Sequence, residues 1–360
     1  MKGTVLAVET GPLLRRAALL RDGVLDALEI DDLSNRSPQP GAIYRCRITR
    51  TIPGIGAAVA DMGDGQTGFF PEGAALSPGQ SLLAEVRREA DGDKAARLSP
   101  AIQLRSDHLV FTPARPGINI SRKITDKAER TRLRTALDAF ASKGGFVIRT
   151  EARDSPAPDL HEEARILTER YDRLAADATP GQRAPAPDAV ARIMHKTDTI
   201  GSILADEASL DGLPPVPVPR LDAGPFDTLD IDAAIASLMG PRHKLPEGWL
   251  SIDPTPALIA VDVNTGAASN GNATLRVNLD AASALPRLLS LKKIGGLILI
   301  DFAGAPKGSE RARIAEAFGR AAAHYLDGST VFGWGPAGLL EAVCRRPGRS
   351  LALLMPEDPR

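Results

Sequence analysis

Ala257-Leu-Ile-Ala-Val-Asp262-Val-Asn264-Thr-Gly266 and Gly296-Leu-Ile-Leu-Ile-Asp301-Phe302 are apolar runs that each carry an aspartate at the end. Runs of Leu, Ile and Val are the pattern of sheet strands covered on both faces. A carboxylate ending such a strand is held by rigid scaffold where buried backbone meets solvent. Either aspartate alone reads more simply as a turn or helix-capping residue. Together they read as a site, because two carboxylates on neighbouring strands can grip one hard cation. Mg²⁺ needs only one or two protein carboxylates and keeps several waters, which leaves room for a phosphate and an attacking hydroxide. Asn264 stands two positions past Asp262, on the same face of an extended segment. It can orient a water or a phosphate oxygen without adding charge. The pattern points to metal-dependent chemistry on phosphodiesters.

Outward from these strands, a unit beginning near Leu245 takes shape. Trp249-Leu-Ser-Ile-Asp253 reads as a further strand. Leu275, Leu279, Ala282 and Leu289 fall at helical spacing, with a kink at Pro286 and a stop at Gly295-Gly296. Ile314, Phe318, Ala321, Ala322 and Tyr325 describe one face of another helix. Lys292, Lys293, Lys307, Arg311, Arg313, Arg345, Arg346 and Arg349 flank it. Solvated helix faces explain several of these cations, yet their grouping around the two aspartates is what a polyanionic substrate requires.

Toward the amino terminus, residues 3–31 read as a hairpin turning at Arg21-Asp22-Gly23, and Ser34–Pro40 as a linker. Residues 41–100 alternate in short strands with turns at Pro53-Gly54, Asp61–Gly65 and Pro78-Gly79, the pattern of a small barrel of the OB type. Gly68-Phe69-Phe70 offers a stacking platform and Arg45, Arg47, Lys94 and Arg97 the charge for a single-stranded nucleic acid. Two core phenylalanines and a solvated face explain the same residues equally well. Gly54-Ile-Gly56 has no third glycine and no following helix, which argues against a dinucleotide site. Residues 105–152 form an αβ unit: Leu109-Val-Phe111 and Ile118–Arg122 are strands, Lys127–Phe140 a helix, and Phe146-Val-Ile148 a strand closing on Arg149-Thr150. An Arg-Thr pair there suits a terminal phosphate, through guanidinium fork and hydroxyl; an edge salt bridge is the plainer reading. Pro-rich connectors separate helical segments over 160–177 and 188–206. Val216–Asp222 reads as a strand and Ile231–Met239 as a short helix.

Composition sets bounds. At 360 residues, 43% hydrophobic and 25% charged, the chain is an ordinary globular protein of more than one domain. A formal net charge of −1 leaves nucleic-acid binding to local basic clusters. Cys46 and Cys344 show no pairing pattern and suggest reduced thiols in the cytoplasm. The five histidines lack ligand spacing, which argues against zinc. No run is long enough for a membrane span.

These residues bear a specific resemblance. Ile259-Ala-Val-Asp-Val-Asn-Thr-Gly266, Asn278-Leu-Asp-Ala281 and Lys293-Ile-Gly-Gly-Leu-Ile-Leu-Ile-Asp-Phe302 resemble, in order and spacing, the catalytic core of the bacterial ribonuclease E/G family. Gly41-Ala-Ile-Tyr44, Ile48-Thr-Arg50, Gly68-Phe69, Ile120-Ser-Arg-Lys-Ile124, Ile148-Arg-Thr150, Leu245-Pro-Glu-Gly248 and Gly338-Leu-Leu-Glu341 extend the likeness along nearly the whole chain. The resemblance implies an α/β (α+β) multidomain fold: an RNase H-like unit from 1–36 and 198–244, an inserted S1 (OB) barrel at 37–103, a 5′-sensor region at 104–197, and a DNase I-like catalytic unit at 245–360. It implies a Mg²⁺-dependent endoribonuclease (Mn²⁺ serving as well) acting on single-stranded RNA. Asp262 and Asp301 would hold the metal and Asn264 support the attacked phosphate. Arg149 and Thr150, with the Gly117 backbone, would hold a 5′-monophosphate. Phe69 would stack on a base, and Lys94, Arg122, Arg345 and Arg346 would meet the RNA.

Departures from the family pattern qualify this. The CxxC zinc link is not matched, since only Cys344 lies in that region, so neither zinc nor a zinc-linked dimer is expected. A family aromatic falls at Val59 and an acidic position at Gly304. A rival reading is an RNA-binding protein of the same architecture with weak or no turnover. A small-nucleotide phosphodiesterase gains nothing from the barrel.

Overall fold

Strands β1 (Thr4–Thr10), β2 (Leu14–Arg21) and β3 (Val24–Asp32) form an antiparallel meander. Its second turn is the expected one: Asp22 and Gly23 take positive φ values of 50° and 80°, the left-handed pair that matches strand twist in a two-residue hairpin. The computed structural model describes residues 3–73, 75–90, 92, 94–197, 200–210, 213, 224–266 and 271–355. One unit comprises the residues up to Asn35 with those from Asp188 onward, and a second comprises Arg36–Pro187.

The second unit holds a closed barrel of β4 (Ile43–Ile52), β5 (Ala57–Gly63), β6 (Gln66–Phe70), β7 (Ser81–Arg88) and β8 (Ala96–Ser99), with β4 pairing both β5 and β7. Cys46, Ile48, Ala60, Met62, Phe70, Ala84 and Leu98 fill it. Phe70 is therefore core and not platform, while Phe69 faces outward, half-buried. Arg45 departs from its expected solvated role. It is buried and donates to the Ala175 and Asp177 carbonyls, at 2.6 and 3.0 Å, so it closes the end of a helix.

Beyond the barrel, β9 (Leu104–Arg105), β10 (Leu109–Thr112), β11 (Gly117–Ile120) and β12 (Gly145–Ile148) form a small sheet, in which β11 and β12 are parallel. Helices α1 (Lys127–Leu137) and α2 (Ala157–Ala175) contribute Leu133, Leu137, Leu160 and Leu167 to the core around Phe111 and Phe146. Asp126 caps α1 by accepting from Ala128 N and Glu129 N. Strand β13 (Gly181–Ala184) returns to pair with β4.

In the first unit, the helix expected over 188–206 is short. Helix α3 (Ala189–Met194), capped by Asp188, is followed by β14 (Ser202–Ala205), which runs parallel to β1. Ile203 and Ala205 are buried with Leu6, Val8 and Ala17, and this burial overrides local helical preference. The strand expected over Val216–Asp222 lies outside the described residues. Helices α4 (Pro225–Thr228) and α5 (Ile231–Met239) follow.

The last sheet has the order β15 (Arg242–Lys244), β16 (Trp249–Pro254), β17 (Leu258–Asn264), β18 (Gly296–Asp301), β20 (Leu340–Cys344), β19 (Thr330–Trp334). Only β17 and β18 run parallel, linked by helix α6 (Gly271–Leu291), which continues through Pro286; α7 (Ser309–Tyr325) follows β18. Helix α6 ends before the expected glycine stop, and the left-handed residue is Lys293, with φ 53°. Ile259, Val261, Val263, Ile298 and Ile300 pack with Val277, Leu285, Leu289, Ile314 and Phe318 of the helices. Covering is one-sided: the alternate face of β17 and β18 carries Leu258, Ala260 and Asn264, half-buried, and Asp262, Leu297 and Asp301, exposed. No helix among the described residues is long and apolar enough to cross a membrane.

Candidate active site

The register of β17 and β18 pairs Asp262 directly with Asp301. Adjacent strands lie about 4.8 Å apart and facing side chains share one side of the sheet, so both carboxylates leave the same exposed edge together. Asn264 Nδ2 donates to Asp262 Oδ2 at 2.6 Å, fixing that carboxylate. Among the described residues neither aspartate has an ion-pair partner, and no group of three or more His, Cys, Asp or Glu side chains could hold a metal. A pair of this kind fits an ion that keeps most of its waters.

The surrounding backbone is held firmly. Asn278 on α6, 1% exposed, donates to the Ala303 carbonyl at 2.9 Å and accepts from Ala303 N at 3.1 Å. This clamp fixes the chain just past Asp301. Its sequence signal was present in the Asn278-Leu-Asp-Ala281 match, but nothing there indicated its role. Across the sheet, Trp249 is paired with Asn264 and Ser251 with Asp262. Gly248 has φ 89°, and a Cβ there would lie 2.2 Å from the Asn264 carbonyl. Only glycine permits this approach.

The flanking cations separate sharply by position. Lys292 donates to the Leu238 and Gly240 carbonyls, and burial pushes its pKa down despite Asp253 nearby. Lys293 donates to Glu29 at 2.7 Å, and Arg349 to Asp32 at 2.6 Å. Arg345 and Arg346 are exposed but follow Cys344, which pairs with Gly296 at the start of β18. The antiparallel return of β20 therefore carries both to the opposite end of the sheet, five residues and about 16 Å from Asp301 along the strand. They do not border the carboxylate pair.

The residues expected to meet a 5′-phosphate are only partly assembled. Thr150 Oγ1 bonds with Ser121 Oγ at 2.9 Å, so the Arg149-Thr150 and Ser121-Arg122-Lys123 segments meet at the end of the parallel strands. Arg130 donates to the Ser121 and Ile124 carbonyls, at 3.0 and 2.9 Å, and holds that loop. Arg149 Nη1 donates to the Ser106 and Asp107 carbonyls, at 3.0 and 2.9 Å, and Nε lies 3.4 Å from Glu151. Gly117 is elsewhere, because it pairs with Gly145 at the start of β12. Arg149 lies four residues further along, about 13 Å away. The backbone that approaches Arg149 is that of Ser106–His108. On the barrel, Phe69 stands between Val59 of β5 and Arg97 of β8, and Lys94 and Arg122 are exposed.

Known proteins match this chain along most of its length. The model of the Ribonuclease E/G family matches residues 103–211 and 219–346. Ribonuclease G of Haemophilus influenzae is 26% identical over 98% of this chain and 81% of its own length. Ribonuclease G of Escherichia coli K12 is 27% identical over 96% and 80%. Ribonuclease E of Nostoc is 29% identical over 87% of this chain and 52% of its own length.

Proposed function

Because the chain belongs to the ribonuclease E/G family, we propose that it is an endoribonuclease cutting single-stranded RNA in cytoplasmic RNA processing or decay, with Asp262 and Asp301 holding Mg²⁺ or Mn²⁺. The in-register pairing of these two aspartates is the observation that carries the reading. When bound, the cation lowers the pKa of water and neutralises charge on the phosphoryl oxygens. The chain's own part is positional. Asn264 keeps Asp262 in place through its amide and sets a polar group beside the attacked phosphate, and the Asn278 clamp fixes the segment after Asp301. Attack in line leaves a 5′-phosphate and a 3′-hydroxyl.

The finer architecture follows the same family logic: the β14-β1-β2-β3 sheet is the RNase H-like part and the β15–β20 sheet the DNase I-like part. A 5′-monophosphate is preferred at the Thr150–Ser121 junction, with Arg149 and the exposed Arg122 and Lys123 supplying charge. Phe69, Lys94 and Arg97 guide the strand on the barrel. The second reading, binding with little turnover, rests on Gly304 and Val59 standing where the family carries an acid and an aromatic.

The decisive test is cleavage of a 5′-monophosphorylated single-stranded RNA with Mg²⁺ and with EDTA. Metal-dependent products ending in 5′-phosphate support the nuclease. Tight, salt-sensitive binding without metal-dependent products supports the second reading.

A further inference from the structure

One cation near the carboxylate end differs from those already accounted for. The guanidinium of Arg311, on α7, lies over the Trp334 ring, 5.0 Å from its centroid. Its Nε donates to the Pro306 carbonyl at 2.7 Å, and its own carbonyl accepts from Trp334 Nε1 at 3.1 Å. Trp334 in turn packs on Phe302, with ring centroids 5.7 Å apart. A side chain held by a stack, a hydrogen bond and a backbone link keeps little rotamer freedom to lose on binding. Among the described residues no hydrogen bond or carboxylate engages its Nη1 or Nη2.

Position completes the case. A Cβ on Gly338 would lie 3.5 Å from Arg311 Nη2, so the outer nitrogens border the β19–β20 loop. The β18–β20 register pairs Ile300 with Leu340. Leu339 and Gly338 precede Leu340 in the β19–β20 loop, so this loop lies at the Asp301 end of β18. With neighbouring strands about 4.8 Å apart, the fork stands at the same end of the sheet as Asp301. An arginine fork with two unpaired outer nitrogens matches the oxygens of a phosphodiester.

We propose that Arg311 binds a backbone phosphate of the RNA next to the one under attack, and so sets the register of the strand on Asp262 and Asp301. This rests on the nuclease reading. The competing role is a purely structural tie between the Pro306 segment and Trp334.

The test measures binding of a fluorescent single-stranded oligoribonucleotide across a KCl series, in an Asp262→Asn background that blocks turnover. Arg311→Ala should weaken binding about tenfold at low salt and reduce the log–log salt slope by about 0.7, the value for one phosphate contact on a single strand. Arg311→Lys should recover most of the slope, since charge persists where the fork and stack do not. Arg320→Ala, at the exposed far end of α7, should leave the slope unchanged. In the active chain, Arg311→Ala should raise KM more than it lowers kcat. An unchanged slope with a lowered Tm would assign Arg311 to structure alone and overturn the proposal, while metal-dependent cleavage by the parent chain left the nuclease reading standing. A parent chain that neither binds nor cuts this RNA would overturn both.

Discussion

Two pairs of parallel strands in the first unit end in acidic side chains, yet their chemistry differs. β1 and β14 run in register up to Val8 and Ala205, so Glu9 and Asp206 come next, much as Asp262 and Asp301 close β17 and β18. Glu9 is bound by Arg16, which also donates to Asp232 at 2.5 Å and lies over the Phe226 ring. Asp206 Oδ2 accepts from Thr10 N at 3.1 Å, while its Oδ1 is buried without a hydrogen-bond partner among the described residues. Among the described residues, Asp262 takes only the Asn264 amide. Topology alone thus brings carboxylates together at strand ends. A cationic partner, Arg16, ties Glu9 to the fold, whereas among the described residues no cation engages Asp262 or Asp301.

Neutralising either member of the available pair gives the largest effect expected from this contrast. Asp262→Asn and Asp301→Asn should each lower kcat by at least about 10³-fold, roughly 4 kcal/mol of barrier, without lowering Tm. A calorimetric scan beside a cleavage assay checks both halves. A large fall in Tm would place this pair with Glu9 and Asp206 as structural.

Glu29 is the opposite extreme, a carboxylate crowded with donors. Burial works to raise its pKa, but Lys293, Lys196 and Arg192 prevail and hold it far below the usual glutamate range. The sign follows from a folded pKa lying below the unfolded one. The stabilisation is present above the ordinary value of 4.5 and is lost as pH falls toward the folded value. Glu29→Gln leaves the largely buried Lys293 without its counter-charge and should cost about 3 kcal/mol at pH 7. Its urea midpoint should then change less than the parent's between pH 5 and pH 3. Parallel acid limbs would show that Glu29 contributes nothing through its charge.

Glu9→Gln should cost less, because Arg16 keeps Asp232 and its aromatic contact. Loss of one charged hydrogen-bond partner is worth about 2 kcal/mol or less. Cleavage per folded molecule should stay unchanged. Lost cleavage at unchanged Tm would mean that the first strand pair, too, takes part in chemistry.

Local pattern was enough to read the Asp22-Gly23 turn, the outline of the barrel and the two strands ending in Asp262 and Asp301. Each depends on residues close in sequence. The misreadings share one physical origin, because pairing register and tertiary burial are not written in local periodicity. Ser202–Ala205 became a strand because β1 offered it an apolar edge. Gly117 fell at the wrong end of its strand because β11 pairs from Gly145 onward. Arg345 and Arg346 moved away because β20 runs back against β18. Arg45, Lys292 and Lys293 read as solvated or ligand-facing charge, yet each satisfies buried carbonyls or a buried carboxylate. Asn278 lay within a matched motif, and only the contact with Ala303 reveals its work.

The smallest effect tests a third parallel pair, β11 and β12, whose ends carry hydroxyls and cations in place of acids. Thr150→Val exchanges the hydroxyl that meets Ser121 for a methyl of similar size and leaves the Arg149 hydrogen bonds to Ser106 and Asp107 untouched. Loss of one such hydrogen bond to a phosphate is worth about 1 kcal/mol, so the preference for 5′-monophosphate over 5′-hydroxyl RNA should fall roughly fivefold. Stability should change by less than that. Arg149→Ala removes charge and two carbonyl contacts at once, so a lowered preference there would come with a lowered Tm and could not separate sensing from folding. The valine variant can: an unchanged preference would assign the Thr150–Ser121 contact to loop architecture and leave the 5′ end to be read by Arg149, Arg122 and Lys123.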